Sequence, residues 1–176
     1  MARQLTYEDY VRFPADRRWE LIEGVPHVVP SPNLRHQEIA GLLYATILFH
    51  LREHGGGRVF IAPFDAVLTD IDVVQPDVVF LSDADAGVLT DDNIMGSPTW
   101  VIEVLSNPYY ERDKLRRYEA ASVSEHWLVN PYEDSLEVRL LAGSTYGSAE
   151  IFTPPALVRP TSLPSLQIDL GDILKR

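Results

Sequence analysis

Gln75-Pro76-Asp77-Val78-Val79-Phe80-Leu81 opens the stretch that decides this fold. Trp100-Val101-Ile102-Glu103-Val104-Leu105-Ser106 and Asn107-Pro108-Tyr109-Tyr110-Glu111-Arg112-Asp113-Lys114-Leu115-Arg116-Arg117-Tyr118 complete it. The two apolar runs read as strands, each carrying one carboxylate, and the last segment reads as a helix. Alternation along the second run puts Val101, Glu103 and Leu105 on one face and Trp100, Ile102 and Val104 on the other. The run is too apolar to face water on either side. Glu103 is therefore expected inside, where an unpaired carboxylate costs on the order of several kcal/mol and calls for a cation. Asp77 follows Pro76 at the start of its strand, where proline is tolerated.

Geometry supplies a candidate cation. Glu103 lies three residues before Ser106, about 10 Å back along a strand. Lys114 lies six residues beyond Pro108, about 9 Å along a helix. A helix packing back along its strand brings Lys114 level with Glu103, and Tyr118 sits one turn further on the same face. Asn107 suits the cap of this helix and Pro108 its first position. Two carboxylates from adjacent strand ends are the usual protein share of a hydrated Mg²⁺ site. Taken singly, each residue has a plainer reading: Asp77 as a turn residue, Glu103 as half of a structural ion pair, Lys114 as a solvated lysine, Tyr118 as core packing.

Working outward, Thr6 and Asp9 open a short helix that ends before Pro14. Trp19 to Ile22 and His27 to Val29 form a hairpin across Glu23-Gly24-Val25-Pro26. Ser31-Pro32-Asn33 starts a helix running to about His54, with Pro32 in its first turn. Its stripe is Ile39, Leu43, Ile47 and Leu51, widened by Leu42 and Leu48. Arg58 to Ala62, Asp65 to Leu68 and Val78 to Leu81 are short strands, and Ser82 to Ser97 is an acidic loop. Glu125 to Val129 returns as a strand parallel to Trp100–Leu105, because the crossover between them is helical. Ser135 to Leu141 pairs back antiparallel. Glu150 to Phe152 and Leu166 to Ile168 are late strands, with a helical turn near Asp172 to Lys175. The expected class is α/β: a mixed central sheet flanked by helices, with added antiparallel hairpins, in one domain spanning residues 1–176.

The chain has 176 residues, enough for a sizeable core. With no cysteine there is no disulfide and no thiolate metal site. No apolar run approaches the about 18 residues of a membrane span, and Met1 to Thr6 lacks the apolar core of a signal peptide. A cytoplasmic location is expected. The net charge of −11 argues against a broad nucleic-acid-binding surface. Arg112, Lys114, Arg116 and Arg117 offer a local basic groove on an otherwise acidic body.

Pro76-Asp77, Glu103 and a lysine together resemble the PD-(D/E)XK nuclease signature. More narrowly, the chain is similar to the Uma-two family of restriction-endonuclease-like proteins. The similarity rests on Trp19-Glu20-Leu21-Ile22-Glu23-Gly24, Arg35-His36-Gln37, Val74-Gln75-Pro76-Asp77-Val78, Ile102-Glu103-Val104-Leu105-Ser106, Asp113-Lys114-Leu115-Arg116-Arg117-Tyr118 and Glu125-His126-Trp127-Leu128-Val129. One position departs from the superfamily pattern: Leu105 stands where a lysine usually follows the acid by two residues. The resemblance implies that Lys114 supplies the amine from the helix. It also implies that Glu20 is an accessory acid, with His36, Gln37 and Gln75 nearby.

On that resemblance Asp77, Glu103 and the backbone carbonyl of Val104 are the ligands of Mg²⁺, with Mn²⁺ as an alternative. Lys114 then orients the attacking water or stabilises charge on the phosphoryl oxygens. The implied activity is endonucleolytic hydrolysis of DNA by a homodimer. The competing reading is a nuclease fold kept as a binding or regulatory module with weak or absent cleavage, which the acidity and Leu105 favour. A separate motif, His50-Leu51-Arg52-Glu53-His54, matches the HxxEH pattern of some zinc peptidases. It abuts Gly55-Gly56-Gly57, where histidines suit a helix C-terminus.

Overall fold

The computed structural model describes residues 3–106 and 108–174. Helix α1 (Tyr7–Tyr10) is closed by Asp9, whose Oδ2 accepts the Thr6 N–H at 3.0 Å. Strands β1 (Arg18–Ile22) and β2 (Val25–Val29) form the expected hairpin. Its two-residue turn holds Glu23 at φ 52° and Gly24 at φ 72°, the left-handed pair that matches strand twist. A Cβ at Gly24 would stand 2.8 Å from the Cβ of Gln4, so glycine is required twice over.

Helix α2 (Leu34–His54) is capped by Asn33, whose side chain accepts the His36 N–H. Pro32 thus stands ahead of the cap, not in the first turn. Ile39, Leu43, Ile47 and Leu51 are buried as their four-residue repeat requires. Leu42 and Leu48 flank that stripe on opposite sides, and the core closes over one flank only. Leu48 packs against it, whereas Leu42 is 45% exposed.

Strands β3 (Gly57–Ile61), β4 (Ala66–Thr69), β5 (Asp72–Val74) and β6 (Val78–Ser82) follow. The segment expected as an acidic loop contains a 3₁₀ helix, Asp83–Val88, and strand β7 (Ile94–Met95), which pairs parallel with β4. Then come β8 (Trp100–Val104), helix α3 (Pro108–Ala120), β9 (Glu125–Asn130), β10 (Ser135–Ala142), β11 (Thr145–Tyr146) and β12 (Glu150–Phe152). The chain closes with β13 (Leu157–Val158), β14 (Ile168–Asp169) and helix α4 (Leu170–Leu174). The last strand and helix are displaced from the expected Leu166–Ile168 and Asp172–Lys175. Leu166 is buried in the core instead of paired. Lys175, and Asn107 as a cap, lie outside the described residues.

The larger sheet has the order β11-β10-β9-β8-β6-β3, with β12 also on β10. β8 and β9 are parallel, as the helical crossover demands, and β6–β8 is antiparallel. A second sheet runs β2-β1-β5-β4-β7. The architecture is the expected α/β one, a mixed central sheet flanked by helices with added antiparallel hairpins. All five residues of β8 are buried. Trp100, Ile102 and Val104 join the core under α2, with Trp127 and Val129 of β9. Val101 packs on the other side with Tyr118 of α3 and Ile22 of β1. That division aims Glu103 at α3 and β1. No helix among the described residues is long and apolar enough to cross a membrane.

Candidate functional site

The β6–β8 register pairs Val78 with Ile102, and one further step leads to Asp77 on one side and Glu103 on the other. The Asp77 carboxylate does reach β8: its Oδ2 accepts the Val104 N–H at 2.8 Å. The same oxygen lies 3.1 Å from His36 Nε2, in the first turn of α2. Glu103 meets α3. Lys114 Nζ is 2.6 Å from Glu103 Oε1 and 3.1 Å from Glu20 Oε1, so the ammonium bridges two buried acids from β8 and β1. The Tyr118 hydroxyl donates to the same Glu103 oxygen. Glu20 is fixed in turn by the Gln75 backbone N–H, which donates to its Oε1 at 2.6 Å.

The fold therefore brings Asp77, Glu103 and Lys114 to one place with Glu20, which only the resemblance implies. Glu103, Glu20 and Lys114 are 2%, 1% and 4% exposed, which is tolerable only because the charges neutralise one another. They line a polar cavity of about 190 Å³ together with Arg18, His36 and Asp77. Arg18 Nε donates to Gln75 Oε1 at 2.9 Å, and Gln75 Nε2 donates to Asp65 at 2.7 Å. This layer holds the Gln75 backbone that holds Glu20.

Burial pushes the Glu103 carboxyl up to about 7, Lys114 opposing the shift while Asp77 and Glu20 add to it. Burial likewise drives the Tyr118 hydroxyl well above its ordinary range, with Glu103 reinforcing. For His36, burial favours the neutral ring. The hydrogen bond and charge of Asp77, with Glu103 and the Val104 backbone, together outweigh that and raise its pKa.

Among the described residues no three His, Cys, Asp or Glu side chains form a ready-made metal cluster. Glu103 Oε1 faces Lys114 and Tyr118, while Asp77 faces His36 and Val104. The donor chemistry nevertheless suits a hard divalent ion, since the carboxylates of Asp77 and Glu103 border one cavity.

Several expectations need correction. Gln37 is exposed and lines the outer surface of α2 with Leu34 and Glu38, away from the cavity. The basic groove does not form as a unit. Arg117 pairs with Glu23 at 2.9 Å, Arg116 approaches Asp113 at 3.8 Å, and Arg112 lines a separate cavity with His126 and Arg139. Only Lys114 of the four borders the acids. Tyr118, expected as packing alone, is buried and also bonded to Glu103. The signal was its four-residue offset from Lys114. In the HxxEH segment His50 Nε2 contacts Ser165 Oγ at 2.8 Å and the two histidine rings stack at 4.4 Å.

A family model described as "Uma2: Putative restriction endonuclease" matches residues 7–171. Among solved structures the chain is similar to a "putative nuclease belonging to DUF820" from Anabaena variabilis, 20% identical. The alignment covers 97% of each chain with a TM-score of 0.82. At that identity the likeness speaks for the fold. No curated protein matches the chain.

Proposed function

The chain belongs to the Uma2 family, related in fold to the PD-(D/E)XK nucleases, and on that premise we propose that it is a divalent-metal-dependent endonuclease acting on DNA. The observation that carries the reading is the bridge of Lys114 between Glu20 and Glu103, beside an Asp77 carboxylate anchored on Val104. Asp77, Glu103 and the Val104 carbonyl would hold the ion. A divalent ion bound there supplies polarisation of the phosphodiester and a lowered pKa for the attacking water. Lys114 keeps two buried acids together that would otherwise repel, and from the cavity wall its charge would stabilise phosphoryl oxygens as they gain charge. Tyr118 orients Glu103, and Gln75 orients Glu20. Arg18 lines the cavity and can meet an incoming phosphate oxygen.

In this reading residues 1–176 are one cytoplasmic domain, paired as a homodimer. The test is nicking of supercoiled plasmid by the purified chain with Mg²⁺ or Mn²⁺, beside Asp77→Ala and Lys114→Gln variants shown to be folded by circular dichroism. Metal-dependent nicking that falls at least about 100-fold in both variants supports the proposal. Nicking equal in all three samples, or none in any, overturns it. The second reading, a nuclease fold serving as a binding module, is favoured by the double engagement of Lys114 by carboxylates. It predicts binding of DNA without nicking.

A further inference from the structure

The cavity presents a nitrogen donor beside its oxygen donors. His36 Nε2 lies 3.1 Å from Asp77 Oδ2, the same oxygen that accepts the Val104 N–H at 2.8 Å. The Val104 backbone makes a further contact to that ring. The ring is 8% exposed, and its position is set by structure on both sides. Asn33 Oδ1 accepts the His36 backbone N–H at 2.9 Å, and His36 lies in the first turn of a 21-residue helix packed against the central sheet. The other ring nitrogen, Nδ1, is buried with no hydrogen-bond partner among the described residues. Nε2 carries the proton that faces the Asp77 carboxylate, so ligation through Nε2 releases that proton or moves it to Nδ1.

Glu103 is differently placed. Its Oε1 is shared by the Lys114 ammonium and the Tyr118 hydroxyl, so it reaches a cation near Asp77 only by exchanging those partners. An ion entering beside Asp77 meets the imidazole by opening one contact, that of His36 Nε2 with Asp77, whereas recruiting Glu103 Oε1 opens two. Asp77 and His36 already stand in contact at the cavity.

We infer that His36 is a metal ligand of this chain, joining Asp77 and the Val104 carbonyl through Nε2. The inference rests on the metal-site part of the proposed function and deepens it by naming the class of ion. An all-oxygen site suits Mg²⁺ and Ca²⁺, whereas a neutral imidazole adds affinity for first-row transition ions. The site therefore selects a divalent transition ion over Mg²⁺.

Mn²⁺ serves as the probe, because its electron spin reports its ligands directly. The metal-free chain, His36→Ala and Asp77→Ala are titrated with Mn²⁺ and with Mg²⁺, and electron spin-echo modulation is recorded on the Mn²⁺ forms. The expected wild-type result is ¹⁴N modulation from a coordinated imidazole, which requires no variant to fold. His36→Ala should lose that signal and weaken Mn²⁺ binding about 10- to 100-fold, the scale set by loss of a metal-site partner. Its Mg²⁺ affinity should change by less than about 3-fold, since Mg²⁺ gains little from nitrogen. Binding that depends on Asp77 but shows no ¹⁴N signal, with equal losses for both ions in His36→Ala, overturns the inference and leaves the metal site standing. Absence of any Asp77-dependent binding overturns both.

Discussion

Glu103 and Glu125 sit on neighbouring parallel strands, 2% and 1% exposed, and are solved in opposite ways. Glu125 points into the core under α2 and, among the described residues, takes neutral donors. Its Oε1 accepts Trp127 Nε1 at 2.8 Å and the Thr161 N–H at 3.2 Å, and its Oε2 accepts the Ser162 N–H at 2.7 Å. It pins the C-terminal segment onto β9. Glu103 points to the other face, borders a cavity, and is matched by Lys114 and Tyr118, groups that can exchange protons or partners. A buried acid held by fixed amides stabilises a fold, whereas one held by a lysine beside other acids is suited to chemistry. Burial alone does not separate the two roles; the partners do.

The largest contrast should come from Lys114→Met. Removing the ammonium leaves Glu20 and Glu103 buried without their shared cation, a loss of about 3–5 kcal/mol in urea denaturation near neutral pH. Adding Glu103→Gln should return much of that stability while nicking stays lost. If the single variant is as stable as the wild type, the acids are not coupled through Lys114.

Glu125→Ala should cost about 2–4 kcal/mol by orphaning two backbone N–H groups and one indole N–H. Its nicking rate per folded molecule should match the wild type. A selective loss of nicking with unchanged stability would reverse the assignment of roles.

The smallest effect concerns His126, beside Glu125 on β9 but facing α3. Burial lowers its pKa to about 3, with the charges of Lys114 and Arg139 adding to the shift. The folded chain therefore binds fewer protons than the unfolded chain below about pH 6.5. Stability from this group is fully present above that pH and is lost progressively as pH falls toward about 3. One unit below 6.5 the loss is about 1.4 kcal/mol. Replacing His126 with Phe should remove this part of the slope in urea melts at pH 5.5 and 7.5. An unchanged slope would mean the ring is charged in the fold.

Much of this was legible in the sequence because it depends on local periodicity. The alternation of β8 put Glu103 on the α3 side, and matched lengths of strand and helix set Lys114 level with it. The four-residue repeat of α2 was equally local, and so was the hairpin, although Val25 and Pro26, expected in its turn, belong to β2. Glu20 came only through family resemblance, since nothing in β1 itself announces that it meets α3. What was missed depends on partners distant in the chain. Strand β5 has three residues, too few for a period, and exists because β1 and β4 flank it. Tyr118 carried a helical spacing, but its hydroxyl is decided by where Glu103 ends. The resemblance implied that His36 is near the site, but its contact with Asp77 joins a helix and a strand edge that no sequence pattern connects. The basic cluster failed because Arg117 found Glu23 in the β1–β2 turn.

Anomalous diffraction from crystals soaked in Mn²⁺ locates a bound ion relative to Asp77. One strong peak is expected within about 2.1–2.2 Å of an Asp77 carboxylate oxygen and the Val104 carbonyl oxygen. A peak confined to the acidic surface near Asp91 and Asp92, with the Asp77 cavity empty, would contradict it.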